Sequence, residues 1–251
     1  MKDGSIEFFC SSVSRPNSVF VPLLGSGMEI NMEKDGLVFA HITEYMRKIR
    51  REKDSALGEL ERKAREEKYP VAEPETADLL EILCMIKQPK NILEIGTCIG
   101  FSSLLMLSAT PDAKITTIER NPVMIPPARE NFKRFNAENS IKLLEGDAVE
   151  ILKTLPENSY DFIFLDAAKG QYPTFYKECQ RLLQKNGVIV TDNVLFNGMV
   201  ATGIPDIRRN KTIITRLDEF LNTLEQDADM KTVILPISDG VTVSFRTDRD
   251  Q

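Results

Sequence analysis

Apolar residues along this chain switch between two periods, and the switching predicts the fold. Short, wholly apolar runs predict strands over 92–95, 115–118, 141–144, 162–165 and 188–190. Between them, helical spacing predicts helices over roughly 101–109, 122–137, 147–154 and 172–184. Strands that are apolar throughout and separated by helices imply a parallel sheet covered on both faces. Right-handed crossovers then make the sheet doubly wound. The end of the chain departs from this rhythm. Residues 208–226 form an amphipathic pattern with Ile213, Ile214, Leu217, Phe220, Leu221 and Leu224 inward. Two strands follow, 231–235 and 241–245, joined by the hairpin signal Ser238-Asp239-Gly240.

The first part of the chain reads differently. Residues 1–31 mix Ser, Pro, Gly and Asn with scattered apolar residues and keep no period, so a disordered extension is expected. Met28 and Met32 are alternative start positions. From Leu37 a helical pattern places Val38, Ile42, Tyr45, Met46 and Ile49 on one face. The charged stretch 47–68 extends it until Pro70 and Pro74 interrupt. Residues 76–86 form another helix, with Leu79, Ile82, Leu83 and Ile86 on one side. The expected organisation is one domain over 32–251, with a helical segment over 32–75 leading into the sheet.

Composition narrows the chemistry. A chain of 251 residues is long enough for one α/β domain with a sizeable core. No apolar run approaches a membrane span, and the apolar stretch 19–24 is too short for a signal peptide. A cytoplasmic protein is the expectation. The four cysteines are widely spaced and form no C-x-x-C pair, so neither zinc nor a disulfide framework is suggested. The single histidine, His41, argues against a histidine base, triad or metal site. A net charge of −6 gives no global attraction to a polyanion.

The candidate chemistry gathers on one sheet edge. The run 91–103, Asn-Ile-Leu-Glu-Ile-Gly-Thr-Cys-Ile-Gly-Phe-Ser-Ser, reads as strand, glycine turn and helix. That arrangement brings bare backbone up to a nucleotide-like ligand. The next strand ends in Glu119, where an acidic residue can hold both hydroxyls of a ribose. Cys98, inside the turn, reads as a packing residue rather than a nucleophile.

Asp166 ends one strand, and Asp192 with Asn193 ends another. In a parallel sheet these ends share the edge of the glycine turn. Two carboxylates and a carboxamide make an all-oxygen donor set suited to Mg²⁺, or to Mn²⁺ or Ca²⁺. Each aspartate alone reads as a helix cap more often than as a ligand. Lys169 follows Asp166 by three residues. A lysine beside a bound cation is disfavoured in its charged form, and a neutral amine can accept a proton from a hydroxyl. Without a metal it reads as a solvated lysine opening a helix.

In order and spacing, Glu94-Ile-Gly-Thr-x-x-Gly-Phe-Ser, Glu119, Asp166-x-x-Lys169 and Asp192-Asn193 resemble the cation-dependent O-methyltransferases of the catechol and caffeoyl-coenzyme A type. The resemblance covers about 70–246. Within that family, Lys87-Gln-Pro-Lys, Asp166-Ala-Ala-Lys-Gly-Gln-Tyr172, Thr191-Asp-Asn-Val-Leu-Phe196 and Ser238-Asp-Gly240 are closest to the bacterial tRNA 5-hydroxyuridine methyltransferases, over about 35–246.

The resemblance implies a Rossmann-like S-adenosylmethionine methyltransferase fold: a mostly parallel seven-stranded sheet with a C-terminal antiparallel hairpin. It implies S-adenosylmethionine as methyl donor, with Glu94, Gly96, Gly100 and Ser102 along its methionine and ribose and Glu119 on the ribose hydroxyls. Asp147 and Ala148 would stand near the adenine, and Asp166 would face both the donor and the metal. Asp166, Asp192 and Asn193 would bind Mg²⁺ (or Mn²⁺), with Lys169 as base. It also implies a homodimer paired through the N-terminal helix and a sheet edge.

The acceptor expected from the closer resemblance is 5-hydroxyuridine at the tRNA wobble position, in the anticodon loop; the alternative is a small catechol-like compound or a caffeoyl-coenzyme A-type ester. Two basic patches bear on this choice: Arg208, Arg209, Lys211 and Arg216 against Asp206 and Asp218, and Arg47, Lys48, Arg50, Arg51 and Lys53. Either can track phosphates or be a solvated helix face, and solvation is the better reading of the second. Phe196 or Tyr172 can stack on a splayed base or belong to the core. A non-catalytic module that binds S-adenosylmethionine, and a nicotinamide-dependent dehydrogenase, are the weaker classes. The metal and base residues are present, and the glycine turn lacks the G-x-G-x-x-G spacing.

Overall fold

A computed structural model of the chain describes residues 34–35, 37–51 and 53–247. The expected extension over 1–31 lies outside the described residues. A two-stranded hairpin, β1 (Lys34–Asp35) with β2 (Val38–Phe39), leads into three helices: α1 (Ala40–Ile49), α2 (Ala56–Glu66) and α3 (Pro74–Lys87). Alternation then begins with β3 (Asn91–Ile95), α4 (Phe101–Ala109), β4 (Lys114–Glu119), α5 (Ile125–Arg134), β5 (Ile141–Glu145) and α6 (Ala148–Thr154). It continues through β6 (Tyr160–Leu165), α7 (Tyr172–Leu182), β7 (Leu183–Thr191), the short α8 (Met199–Thr202), α9 (Lys211–Gln226), β8 (Met230–Leu235) and β9 (Val241–Arg246).

The main sheet has seven strands in the order β5-β4-β3-β6-β7-β9-β8. The first five in that order run parallel, and β9 pairs antiparallel with both β7 and β8. The expected sheet and its terminal hairpin are therefore present. Chain order reverses between β3 and β6, and open α/β sheets bind ligands beside such a switch point. One core layer joins the sheet to α2, α3, α4 and α5 through Leu60, Leu80, Leu105 and Phe132. The other joins it to α6, α7 and α9 through Leu152, Phe175, Leu217 and Phe220.

Local chemistry sets the element ends. The helix expected to run unbroken over 47–68 is interrupted, because Ser55 caps α2 by accepting a hydrogen bond from the Gly58 amide (3.2 Å). Pro74 starts α3 at its first helical position, and Gln88 ends it in the left-handed region just before Pro89.

Two apolar faces point the other way from the simplest reading. On α3 the buried residues are Pro74, Thr76, Ala77, Leu80 and Cys84, while Ile82 and Ile86 are 54 % and 76 % exposed. On α1 only Thr43 is buried, and Tyr45 and Ile49 are 62 % and 63 % exposed. Periodicity marks an apolar stripe but does not say whether this chain or another molecule covers it.

Gly96 fixes how closely the two central strands approach. It has φ +105°, and a Cβ there would lie 1.9 Å from the Asp166 carbonyl oxygen at the end of β6. Gly96→Ala is expected to cost more than about 2 kcal/mol in urea unfolding. Gly203→Ala, also at positive φ but in open space, should cost about 1 kcal/mol or less.

Candidate active site

The carboxyl ends of β3, β4, β6 and β7 open into a cavity of about 440 Å³. Its wall carries Gly96, Ser102, Glu119, Asp147, Ala148 and Asp166, and at the far end Lys169, Asp192 and Asn193. The fold thus brings nine of the eleven sequence-predicted site residues onto one surface. Glu94 and Gly100 stand behind it. Gly100 precedes α4 at φ +84° and packs against the Phe132 ring, where a Cβ would approach to 2.5 Å.

Glu94 is a buried support under the glycine turn. Its Oε2 accepts from the Thr117 hydroxyl (2.5 Å) and from the Ser103 hydroxyl, and Thr117 in turn meets the Thr97 hydroxyl at 2.6 Å. Burial pushes the Glu94 carboxyl up to about 7, against the lowering effect of its hydroxyl donors. This network ties β3, β4 and α4 together at the start of the turn.

Glu119 projects from the end of β4. Its two oxygens accept from the Cys98 amide (2.8 Å) in the turn and from the Asn121 amide (2.7 Å) just after the strand. Each oxygen keeps a further lone pair, so the carboxylate is fixed and can still accept from a diol in the cavity. Asp147 caps α6 by accepting from the Val149 amide (2.8 Å). Burial raises the Cys98 thiol to about 12, so Cys98 is a protonated packing residue, as expected.

Asp166 and Asp192 face the far end of the cavity. Burial pushes Asp166 up to about 6, while Lys169 pulls it down. Asp192 is 2 % exposed, and burial together with the neighbouring Asp166 raises it well above the ordinary aspartate range. Its Oδ1 accepts from the Asn193 amide (2.7 Å). Lys169 sits on a 3₁₀ turn, Lys169–Gln171, and its ammonium donates to Asn193 Oδ1 at 3.0 Å. Two desolvated carboxylates that oppose each other's ionisation, beside a carboxamide oxygen, fit a hard divalent cation. No cluster of three or more His, Cys, Asp or Glu suited to a metal occurs among the described residues, so any cation here rests on two carboxylates and Asn193.

A profile of the O-methyltransferase family matches residues 47–247. The chain belongs to the O-methyltransferase family. It is 31% identical over 183 residues to the caffeoyl-CoA O-methyltransferase of Stellaria longipes, covering 69% of this chain and 75% of that protein. It is 34% identical over 131 residues to the catechol O-methyltransferase of Niastella koreensis, covering 51% and 59%. The SAH-bound Podospora anserina methyltransferase PaMTH1 superimposes with a TM-score of 0.75 at 31% identity, over 90% of this chain and 100% of that one. The fold of this methyltransferase is that of the S-adenosylmethionine-dependent enzymes.

One feature of the methyltransferase site was not read from its sequence. The segment 70–73, between α2 and α3, supplies cavity wall through Pro70, Val71, Ala72 and Glu73. The break at Pro70 and Pro74 was its only signal. Tyr172, a candidate for base stacking, is fully buried, and its hydroxyl donates to the Asp192 carbonyl (2.9 Å). It supports Asp192 from the core and cannot stack on an acceptor. Phe196 is half-buried in the Asn193–Asn197 loop.

Glu94 generates a pH prediction. Its carboxyl is raised in the folded protein, so its contribution to stability is complete below about 4.5 and is lost as pH rises through about 7. Glu94→Gln should flatten the fall in unfolding free energy between pH 5 and pH 8 by an amount on the order of 1–3 kcal/mol. An unchanged pH slope would mean Glu94 is not buried as a titrating acid.

Proposed function

We propose that this methyltransferase transfers the methyl group of S-adenosylmethionine to an acidic hydroxyl in a divalent-cation-dependent reaction, with 5-hydroxyuridine at the tRNA wobble position as acceptor. The carrying observation is the single cavity wall that joins the glycine turn and Glu119 to Asp166, Asp192, Asn193 and Lys169. Gly96 and Ser102 would border the methionine portion of the donor, Glu119 its ribose hydroxyls, and Asp147 and Ala148 its adenine. Asp166, Asp192 and Asn193 would hold Mg²⁺ or Mn²⁺. A cation bound there supplies Lewis acidity that favours the ionised acceptor hydroxyl.

The protein's own groups do the rest. Gly96, lacking a side chain, leaves room for the donor against the end of β6. The fixed Glu119 orients the donor so that its methyl points toward the Asp166–Asp192 end. Lys169 Nζ stands at that end, 3.0 Å from Asn193 Oδ1, and in its neutral amine form would take the hydroxyl proton and become the ammonium. The acceptor oxygen gains the methyl as the carbon–sulfur bond breaks, and the donor leaves as a neutral thioether.

A second cavity of about 350 Å³ adjoins Asn193, bordered by Val38, Met46, Ile237 and Asp239, and offers space for the acceptor ring. The tRNA reading draws support from the exposed Arg208, Arg209 and Lys211 at the start of α9. Arg208 and Arg209 lie on a 3₁₀ turn that leads into α9, which carries Lys211 and Arg216, and the Arg216 guanidinium donates to the Gly170 carbonyl (2.8 Å) beside Lys169. The N-terminal basic cluster does not add to this path. Arg47 pairs with Glu75 and Glu73, Arg50 with Asp78 and Glu61, and Lys53 with Glu81. That neutralisation, and the likeness to caffeoyl-CoA and catechol O-methyltransferases, favour the second reading, a small catechol or a caffeoyl-coenzyme A-type ester. A homodimer is also proposed: Ile42, Tyr45, Met46 and Ile49 of α1 and Ile82, Met85 and Ile86 of α3 are exposed on neighbouring helices.

Methyl transfer from labelled S-adenosylmethionine tests the acceptor. The expected result is transfer to tRNA carrying 5-hydroxyuridine, lost with a chelator and in Asp166→Ala, and lowered at least about tenfold in Lys169→Ala. Transfer to a catechol alone would replace the tRNA reading with the second one. Light scattering tests the assembly. The wild type should have twice the chain mass and Ile82→Glu with Ile86→Glu the mass of one chain; a monomeric wild type would remove the dimer.

A further inference from the structure

The loop that carries Asn193 holds an unfavourable backbone. Asn193, Phe196 and Asn197 all lie in the left-handed region, at φ +56°, +46° and +53°. Asn tolerates that region but Phe resists it, so the Phe196 conformation in particular draws on support from outside the loop. The turn between β8 and β9 supplies it. The Val194 amide donates to the Gly240 carbonyl (2.9 Å) and the Leu195 amide to the Asp239 carbonyl (3.0 Å). The Asn197 amide donates to the Asp239 carboxylate. Gly240, at φ +85°, lies so close that a Cβ there would meet Leu195 at 2.5 Å.

The turn is itself anchored. The Ser238 hydroxyl accepts from the Thr76 hydroxyl (3.1 Å) at the start of α3. The path of contact therefore runs from α3 through Ser238 and Asp239 to Asn193. Asp239 also stands in a costly place. Its charge opposes that of Asp192, while Lys169 and the Asn197 amide favour it.

We propose that Asp239 is a positioning residue for cation binding: its carboxylate holds the Asn193–Asn197 loop in the conformation that presents Asp192 and Asn193 together. The inference rests on the proposed cation site. It adds that the site is preorganised from the terminal hairpin, across the sheet from the glycine turn. Asp239 is not on the wall of the larger cavity, so its loss should leave the donor's place intact.

The test is Mn²⁺ binding by the full chain, followed by electron paramagnetic resonance, with SAH affinity by calorimetry measured alongside. Wild type should bind Mn²⁺, and Asp166→Asn should not. Asp239→Ala should weaken Mn²⁺ at least about tenfold, the effect of losing a hydrogen bond to a charged acceptor. SAH affinity should stay within about twofold. Asp239→Asn, whose amide oxygen can still accept from the Asn197 amide, should recover most of the loss. Leu195→Ala, a truncation at a half-buried position, should weaken Mn²⁺ several-fold and gives a second answer if Asp239→Ala does not fold. Wild-type affinity in Asp239→Ala and Leu195→Ala would overturn the proposal while leaving the cation site standing. Equal loss in Asp239→Asn and Asp239→Ala would also overturn it, because charge rather than the loop contact would then matter. No Mn²⁺ binding by the wild type would remove the cation site, and this proposal with it.

Discussion

The closest constraint in the molecule is the contact between the turn after β3 and the end of β6. The Asp166 amide donates to the Ile95 carbonyl, and the Gly96 amide to the Ile118 carbonyl at the end of β4. Three strand ends are thereby joined within a few residues, at the point where chain order in the sheet reverses. A side chain at position 96 would push β6 away and carry Asp166 with it. The cavity, the acids on its wall and the path of the chain into α4 all follow from that approach.

The site is costly because it buries acids, and each is compensated differently. Burial raises the Glu94 carboxyl to about 7, and the hydroxyls that donate to it favour its charged form. Glu119 stays an acceptor by taking two backbone amides. Asp166 and Asp192 are compensated least by the protein, since a single lysine faces both. A pair left so poorly satisfied is suited to a ligand that supplies positive charge. Behind the wall Glu94 keeps one oxygen, Oε1, without a partner, while on it Asp166 and Asp192 oppose each other's charge.

The N-terminal helices show the opposite economy. Their charged residues are largely used against one another, with Glu61 accepting from both Arg50 and Arg65. The apolar stripe of α1 and one side of α3 face outward. The ion pairs hold α1 and α2 to α3, while the uncovered stripe is surface available to another molecule. This arrangement also brings segment 70–73 against the glycine turn, so the helical segment contributes to the site although it lies outside the alternating sheet.

Much of this was legible in the sequence. The strands, the crossover helices and the terminal hairpin each follow from local period and turn chemistry, which one strand or helix expresses by itself. The glycine turn, Glu119, Asp166 and Asp192-Asn193 were legible because a parallel sheet places every strand's carboxyl end on one edge. What lay beyond reach depended on contacts between distant residues. Whether Glu94 lines the cavity or supports it is decided by Ser103 and Thr117 meeting it from two other elements. Tyr172 became a core residue because α7 packs its ring against Phe220 and its hydroxyl under Asp192. The outward turn of the α3 stripe follows from the burial of Ala77, Leu80 and Cys84 against the core, which periodicity cannot see. Sequence alone thus determined which elements form and on which edge the chemistry gathers, because those are local or topological consequences. Tertiary structure decided which residues face the cavity and which stand behind it, because burial and hydrogen-bond partners belong to the packed chain as a whole.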